Sequence, residues 1–219
     1  MKKFVAIAGN IGVGKSTLVR LLCERLEWQP FYEPEAENPY LADFYKDMSA
    51  WAFHSQIYFL TRRLRAHRQL LNHPNSVVQD RSVYEDAEIF ACNLYRQGQI
   101  NERDYYTYRE LYEVLIEFLP PPDLVIYLRA SVSTLVGHIS RRGREYERTI
   151  NPDYLEKLNG LYEEWISNFA LCPVLTVPGD ELDYVSHPSH LDLIVSKVQE
   201  KLTGKEEVVF NPDEVARLR

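Results

Sequence analysis

Short unbroken apolar runs alternate along this chain with longer stretches whose apolar residues recur every three or four positions. Phe4 to Ala8 is one such run, as expected of a strand buried on both faces of a sheet. Glycines follow at 9, 12 and 14. Lys15 to Leu26 then carries apolar residues at 18, 19, 21, 22 and 26, which predicts a helix. Pro30 to Pro34 predicts a second short strand ending at the proline. Asn38-Pro39 predicts a short helix with the proline at its first position. Trp51 to Leu71 predicts a long helix, stopped by the Asn72-His73-Pro74-Asn75 turn cluster. Ser76 to Asp80 reads as a third buried strand. Val83 to Gln97 and Glu102 to Phe118 read as helices, the second stopped by Pro120-Pro121-Pro122. Asp123 to Leu128 predicts a fourth strand and Ser131 to Ser140 a helix with Ser131 as N-cap. Arg141 to Thr149 reads as a charged loop, Pro152 to Phe169 as a helix, Val174 to Val177 as a fifth strand and His190 to Leu202 as the last helix. Gly204 to Arg219 has weak periodicity and is expected to fray.

Strands alternating with helices imply an α/β fold, a five-stranded parallel sheet with helices on both faces. Ligands of such sheets bind beyond the carboxyl ends of the strands. Gly9 to Thr17, Glu33, Asp80-Arg81 and Arg129 all follow strand ends and are therefore expected to cluster. The 219 residues, 45% hydrophobic and 26% charged, suit one globular domain. A net charge of −7 speaks against a general nucleic-acid coat or an anionic-membrane binder, while leaving room for a small anion held by local Arg and Lys. Cys23, Cys92 and Cys172 lie far apart without metal-ligand spacing, so neither disulfides nor zinc are expected, and a reducing compartment fits. Phe4 to Ala8 is too short for a secretory segment or a membrane span, so the expected location is the cytoplasm. There is no internal repeat and no low-complexity segment.

Gly9-Asn10-Ile11-Gly12-Val13-Gly14-Lys15-Ser16-Thr17 satisfies GxxxxGK[ST]. A loop that wraps a phosphate with successive backbone N–H groups needs residues without Cβ where it turns back. The helix that follows offers its positive end to the anion. In that pattern Lys15 reaches the β- and γ-phosphates and Ser16 offers a hydroxyl to Mg²⁺, so ATP with Mg²⁺ is the expected ligand. The chain has no guanine-reading NKxD, and Val77-Val78-Gln79-Asp80-Arg81-Ser82 is a poor match to the acidic strand end of a motor ATPase. A kinase needs mobile arginines on the transferring group. Arg141, Arg142, Arg144 and Arg148 fall within eight positions and suit an arginine-rich lid.

The motifs together resemble those of the deoxynucleoside kinases, whose P-loop kinase fold has three layers. The resemblance rests on Gly9 to Thr17, Glu33-Pro34, Trp51-Ala52-Phe53-His54-Ser55-Gln56, Asp80-Arg81-Ser82-Val83-Tyr84-Glu85-Asp86 and Arg142-Gly143-Arg144, in the family's order and spacing, over roughly residues 1 to 202. It implies a kinase domain over 1–202 and a weakly ordered tail over 203–219. Within the family, Asn38-Pro39-Tyr40-Leu41, Gln79-Asp80-Arg81-Ser82 and Ala170-Leu171-Cys172-Pro173-Val174 look most like the bacterial deoxyadenosine kinases, some of which also accept deoxycytidine. The resemblance makes Glu33 the carboxylate that takes the proton of the deoxyribose 5′-OH. Asp80 would assist Mg²⁺ with Ser16, Arg81 would contact Glu33 and the 5′-oxygen, and Arg142 and Arg144 would close on the phosphates. Tyr45 and Glu147 would hold the 3′-OH. Relatives pair through helices near Tyr105, Tyr106, Tyr108 and Tyr112, so a homodimer is implied.

Gln56, Phe59 and Arg63 sit at i, i+3 and i+7, one face of the long predicted helix. A Gln amide matches the paired donor and acceptor on an adenine or cytosine edge. Arg63 with Asp86 would extend that match, and Phe90 would stack on the ring. Thymine lacks an exocyclic amine, and its methyl would crowd Arg63, so thymidine is disfavoured. Three positions depart from relatives: His138 stands where some carry arginine, Phe59 is larger than the small residue of some, and Tyr146 replaces an acid. Deoxyguanosine kinase and a thymidylate-kinase-like enzyme are the neighbouring readings. A nucleotide-binding regulator without turnover is the reading from another class.

Overall fold

The computed structural model describes residues 2–32, 38–144, 147, 150–205 and 208–218. The apolar runs become strands β1 (Phe4–Gly9), β2 (Gln29–Phe31), β3 (Val77–Asp80), β4 (Leu124–Arg129) and β5 (Val174–Pro178). They pair in the order β2-β3-β1-β4-β5, each neighbour parallel. The helices are α1 (Lys15–Leu26), α2 (Leu41–Lys46), α3 (Met48–Asn72), α4 (Val83–Glu85), α5 (Cys92–Arg96), α6 (Glu102–Ile116), α7 (Val132–Arg142), α8 (Pro152–Asn168), α9 (Pro188–Leu202) and α10 (Pro212–Ala216).

The central strand β1 is buried along its whole length, which is why its sequence shows no alternation. Val5 and Ile7 share one core with Leu18 and Leu22 of α1 and with Ile194 and Val198 of α9. Phe4, Ala6 and Ala8 share another with Leu70 of α3 and with Trp165, Ile166 and Phe169 around the end of α8. Helices therefore cover both faces of the sheet. The parallel order brings the ends of β1 and β3 side by side, with Ile7 opposite Asp80. That places the glycine loop after β1 next to the Asp80-Arg81 turn after β3.

Several local expectations are corrected. The Pro39 turn is held by Asn38, whose Oδ1 accepts from the Tyr40 N–H at 3.0 Å, and α2 starts only at Leu41. Pro34, the expected end of β2, lies outside the described residues, and β2 ends at Phe31. The long helix starts earlier than expected, because Asp47 caps it by accepting from the Ala50 N–H at 3.1 Å. Arg141 and Arg142 belong to the last turn of α7, which Gly143 closes at φ 71°, and not to a loop. Glycine suits that left-handed position. The expected helix from Val83 to Gln97 holds a π-helical segment, Asp86–Ala91, between α4 and α5. Past residue 203 the chain packs back. Val208 and Val215 are buried in the α1/α9 core, and Lys197 meets Glu214 at 3.0 Å.

No helix among the described residues is long and apolar enough to cross a membrane. The three thiols are free, and burial pushes those of Cys23 and Cys172 up to about 12, which keeps them protonated and unreactive.

Tyr108 of α6 is fully buried, and its hydroxyl has no hydrogen-bond partner among the described residues. Removing an unpaired buried hydroxyl relieves a desolvation cost of about 1–3 kcal/mol. Tyr108→Phe is therefore expected to leave the melting temperature unchanged or raise it. A fall of several degrees in a thermal scan would contradict this.

Candidate active site

The site is built around the turn that leaves β3. Arg81 takes a left-handed conformation, φ 64°, although it is not glycine. Such a residue costs about 1–3 kcal/mol and persists only where its surroundings over-determine it. Here they do. The Arg81 N–H continues the sheet ladder to the Ile7 carbonyl at 3.0 Å. Arg63 of α3 donates Nη1 to the carbonyls of Asp80 at 3.2 Å and Arg81 at 3.1 Å. Its Nε and Nη2 grip the two oxygens of Asp86 at 3.0 and 3.1 Å, a fork-on-fork pair with both side chains 3% exposed. Ser82 and Glu85 then form a reciprocal capping box that starts α4.

On the donor side the loop Gly9 to Thr17 wraps the N-terminus of α1. Gly12 has φ 82°, and a Cβ there would sit 2.9 Å from the Leu135 carbonyl and 2.7 Å from Ile139. Gly14 caps α1 with no side-chain partner, and no acid lies in the first turn. The positive helix end is thus left open for an anion. Lys15 Nζ donates to the carbonyls of Gly9 at 3.0 Å and Asn10 at 2.9 Å. Asn10 ties the loop to α8 by donating Nδ2 to Leu155 O and Asn159 Oδ1 at 2.9 and 2.8 Å. His138 donates Nδ1–H to the Gly12 carbonyl at 2.8 Å. Above the loop opens a cleft of about 890 Å³, lined by Ile11 to Thr17, by His138, Arg141, Arg142 and Arg144, and by the segment 179–180 and 182–186. That size suits a nucleotide.

Ser16 Oγ donates to Asp80 Oδ2 at 2.5 Å. Asp80 is buried, and its Oδ1 has no partner among the described residues. A hydroxyl beside an orphaned carboxylate oxygen suits Mg²⁺, which takes one or two protein oxygens together with water and phosphate.

On the other side of the turn Tyr45, Gln56, Phe59, Arg81, Asp86, Phe90 and Glu147, the residues expected to bind a deoxynucleoside, line one pocket, joined by Ile11, Leu41, Phe44 and Tyr154. Burial pushes the Tyr154 hydroxyl up to about 12. The Gln56 Oε1 is buried in this lining with no partner among the described residues. The π-helical segment carries both Asp86 and Phe90, and its wider turn is a common device at functional sites. Phe90 stacks on the Arg81 guanidinium, 4.5 Å from ring centre to Cζ. Arg63 stands behind Asp86 and is absent from the lining. Glu147 accepts from Arg142 Nε at 3.0 Å and from Arg144 Nη1 at 3.3 Å, so arginines lining the larger cleft are held by an acid of the smaller pocket.

Glu33, expected as the proton acceptor, lies outside the described residues, as do Tyr146 and Arg148. Arg129, expected to join the cluster, lines neither cleft; it ends β4 and donates Nε to Glu163 at 2.8 Å. The other expected residues converge on the two sites or on the turn between them. Sequence reasoning missed the roles of Glu85 and Tyr162. Tyr162 donates its hydroxyl toward the Gly9 carbonyl at 2.9 Å or Glu85 Oε1 at 2.8 Å, and receives Arg81 Nη1 at 2.7 Å. Burial above all raises its pKa well beyond the usual tyrosine value, so it stays protonated. The Ser82-x-x-Glu85 spacing was a legible sign for Glu85, whereas Tyr162 sits in an ordinary helical pattern.

A family model described as deoxynucleoside kinase matches residues 5–203. The chain is 38% identical to the deoxyadenosine/deoxycytidine kinase of Bacillus subtilis (strain 168), over 89% of this chain and 90% of that one. It is 35% identical to the deoxyadenosine kinase of Lactobacillus acidophilus, over 92% and 97%. Among solved structures it superposes on deoxyadenosine kinase from M. mycoides, with dCMP and a flexible dCDP bound, at a TM-score of 0.81 and 36% identity, covering 90% of this chain and 99% of that chain.

Losing one member of the Arg63–Asp86 pair orphans a buried charge. Arg63→Met is expected to cost about 3–5 kcal/mol in urea unfolding, and adding Asp86→Ala should recover a clear part of that loss. A double variant no more stable than the single one would contradict the account of the pair.

Proposed function

The chain belongs to the deoxynucleoside kinase family, and on that footing we propose that its preferred acceptor is deoxyadenosine, with deoxycytidine second. It is a phosphotransferase that moves a phosphoryl group from a nucleotide donor to a deoxynucleoside hydroxyl. The observation that carries the base preference is the unpartnered Gln56 Oε1 in the acceptor lining beside Asp86. Two acceptor groups facing one pocket suit an exocyclic amine, which adenine, cytosine and guanine carry and thymine lacks; the choice of deoxyadenosine among these follows the relatives. Both relatives described above carry deoxyadenosine in their names.

In this reading ATP lies in the 890 Å³ cleft, and Lys15 leaves the Gly9 and Asn10 carbonyls for the β- and γ-phosphates. Ser16 and Asp80 would hold Mg²⁺, which supplies charge neutralisation on the phosphates. Tyr45 and Glu147 hold the 3′-OH. Arg81 meets the 5′-oxygen. The 5′-oxygen forms its bond to the γ-phosphorus as the bond to the β–γ bridging oxygen breaks. The 5′-OH proton passes to Glu33, and the deoxynucleoside 5′-monophosphate and ADP result. When the 3′-OH engages Glu147, Arg142 and Arg144 are released toward the transferring group. We also read residues 1–202 as the kinase domain, the working form as a homodimer and the location as the cytoplasm.

The test is kcat/KM for deoxyadenosine, deoxycytidine, deoxyguanosine and thymidine, with ATP, in the wild type and in Arg63→Met/Asp86→Ala. The wild type should prefer deoxyadenosine. The double variant should shift the thymidine-to-deoxyadenosine ratio tenfold or more, since each base hydrogen bond is worth roughly 1–3 kcal/mol. A wild type that prefers thymidine, or an unchanged ratio, would refute the assignment of Asp86 to the base, and one that prefers deoxyguanosine would refute the choice of deoxyadenosine.

A further inference from the structure

Arg81 and the phosphate loop are joined by side chains that touch neither cleft. Glu85 is fully buried, and its Oε1 accepts from the Gly9 N–H at 3.2 Å, from Arg81 Nη1 at 3.3 Å and lies 2.8 Å from the Tyr162 hydroxyl. Its Oε2 accepts from the Ser82 N–H at 2.7 Å. Tyr162 closes the ring. Its hydroxyl accepts from Arg81 at 2.7 Å and reaches the Gly9 carbonyl at 2.9 Å. The Tyr162 ring is itself set by stacking on Tyr127 of β4, 5.7 Å between centroids at 16°. The Gly9 N–H is thus held by Glu85 and its carbonyl lies within reach of the Tyr162 hydroxyl, both of which also hold Arg81. The same carbonyl accepts from Lys15 Nζ at 3.0 Å.

We propose that Tyr162 and Glu85 are positioning residues for phosphoryl transfer, holding the Arg81 guanidinium at a fixed place relative to Gly9, the first residue of the phosphate loop. This rests on the reading of Arg81 as a contact of the 5′-oxygen. The geometry gives the network a task that packing alone does not require. Arg81 is a flexible side chain on a strained backbone, and Phe90 confines it only to a plane. Tyr162 and Glu85 fix where it lies within that plane. When Lys15 turns to the phosphates, the buried Gly9 carbonyl loses that donor, and the single proton of the Tyr162 hydroxyl, shared in reach between Gly9 O and Glu85 Oε1, is there to replace it. The start of the loop therefore stays in register with Arg81 as the donor binds. Misplacing reacting groups by about 1 Å can cost a hundredfold in rate.

The experiment compares Tyr162→Phe, Glu85→Gln, Arg81→Lys and the double variant Tyr162→Phe/Arg81→Lys, each confirmed as folded by circular dichroism. Steady-state rates are measured with ATP and deoxyadenosine. Tyr162→Phe should lower kcat at least tenfold while both KM values stay within threefold, a split that a merely structural role would not produce. Glu85→Gln should do the same, and serves alone if Tyr162→Phe does not fold. The double variant should be no slower than the slower single variant, because the residues act as one unit. Near-wild-type kcat in folded Tyr162→Phe or Glu85→Gln, with Arg81→Lys impaired, would overturn the positioning role and leave the reading of Arg81 intact. An unimpaired Arg81→Lys would instead refute the role of Arg81, and the positioning role with it.

Discussion

The structure depends on keeping one non-glycine residue, Arg81, in a left-handed conformation at the end of β3. The extended chain of β3 must turn sharply there to start α4, and the left-handed residue makes that turn. Glycine would take the conformation without strain, yet it would bring no guanidinium to the junction of the two clefts. The strain is offset by Arg63, which serves the Asp80 and Arg81 carbonyls with one nitrogen and Asp86 with two more. A cation buried to 4% exposure is tolerable because the Asp86 carboxylate and two backbone carbonyls accept from it. Without Arg63 the Asp80 and Arg81 carbonyls would lose the side-chain donor they share.

Because the turn is fixed, two clefts can share it. Asp80 faces the phosphate-loop cleft through Ser16, and Arg81 lines the smaller pocket. The parallel pairing of β1 with β3 puts the phosphate loop one strand away. Glu147 makes a second connection from above, since the acid that lines the acceptor pocket holds arginines that line the donor cleft.

Much of this is legible in the amino-acid sequence. Unbroken apolar runs announced the five parallel strands, and the Gly9 to Thr17 spacing announced a phosphate site. The spacing of Gln56, Phe59 and Arg63 placed them correctly on one helix, but Arg63 proved to stand behind Asp86. Periodicity reports which face is buried, and it cannot report which of two buried charges is nearer the ligand. The π-helical segment was hidden for a related reason, since one widened turn leaves the apolar pattern of Val83 to Gln97 nearly unchanged. Tyr162 escaped because its hydroxyl acts 81 residues away from Arg81 through a fold that no local pattern encodes. The tail was underestimated because Val208 and Val215 are too sparse to show a period, although each fills a place in the core.

The central claim is that donor and acceptor occupy the two sides of one turn at the same time. Initial rates measured while ATP and deoxyadenosine are both varied test it most directly. Simultaneous occupancy predicts double-reciprocal lines that intersect. Parallel lines, the pattern of a phosphoryl group parked on the protein between two separate substrates, would contradict the account.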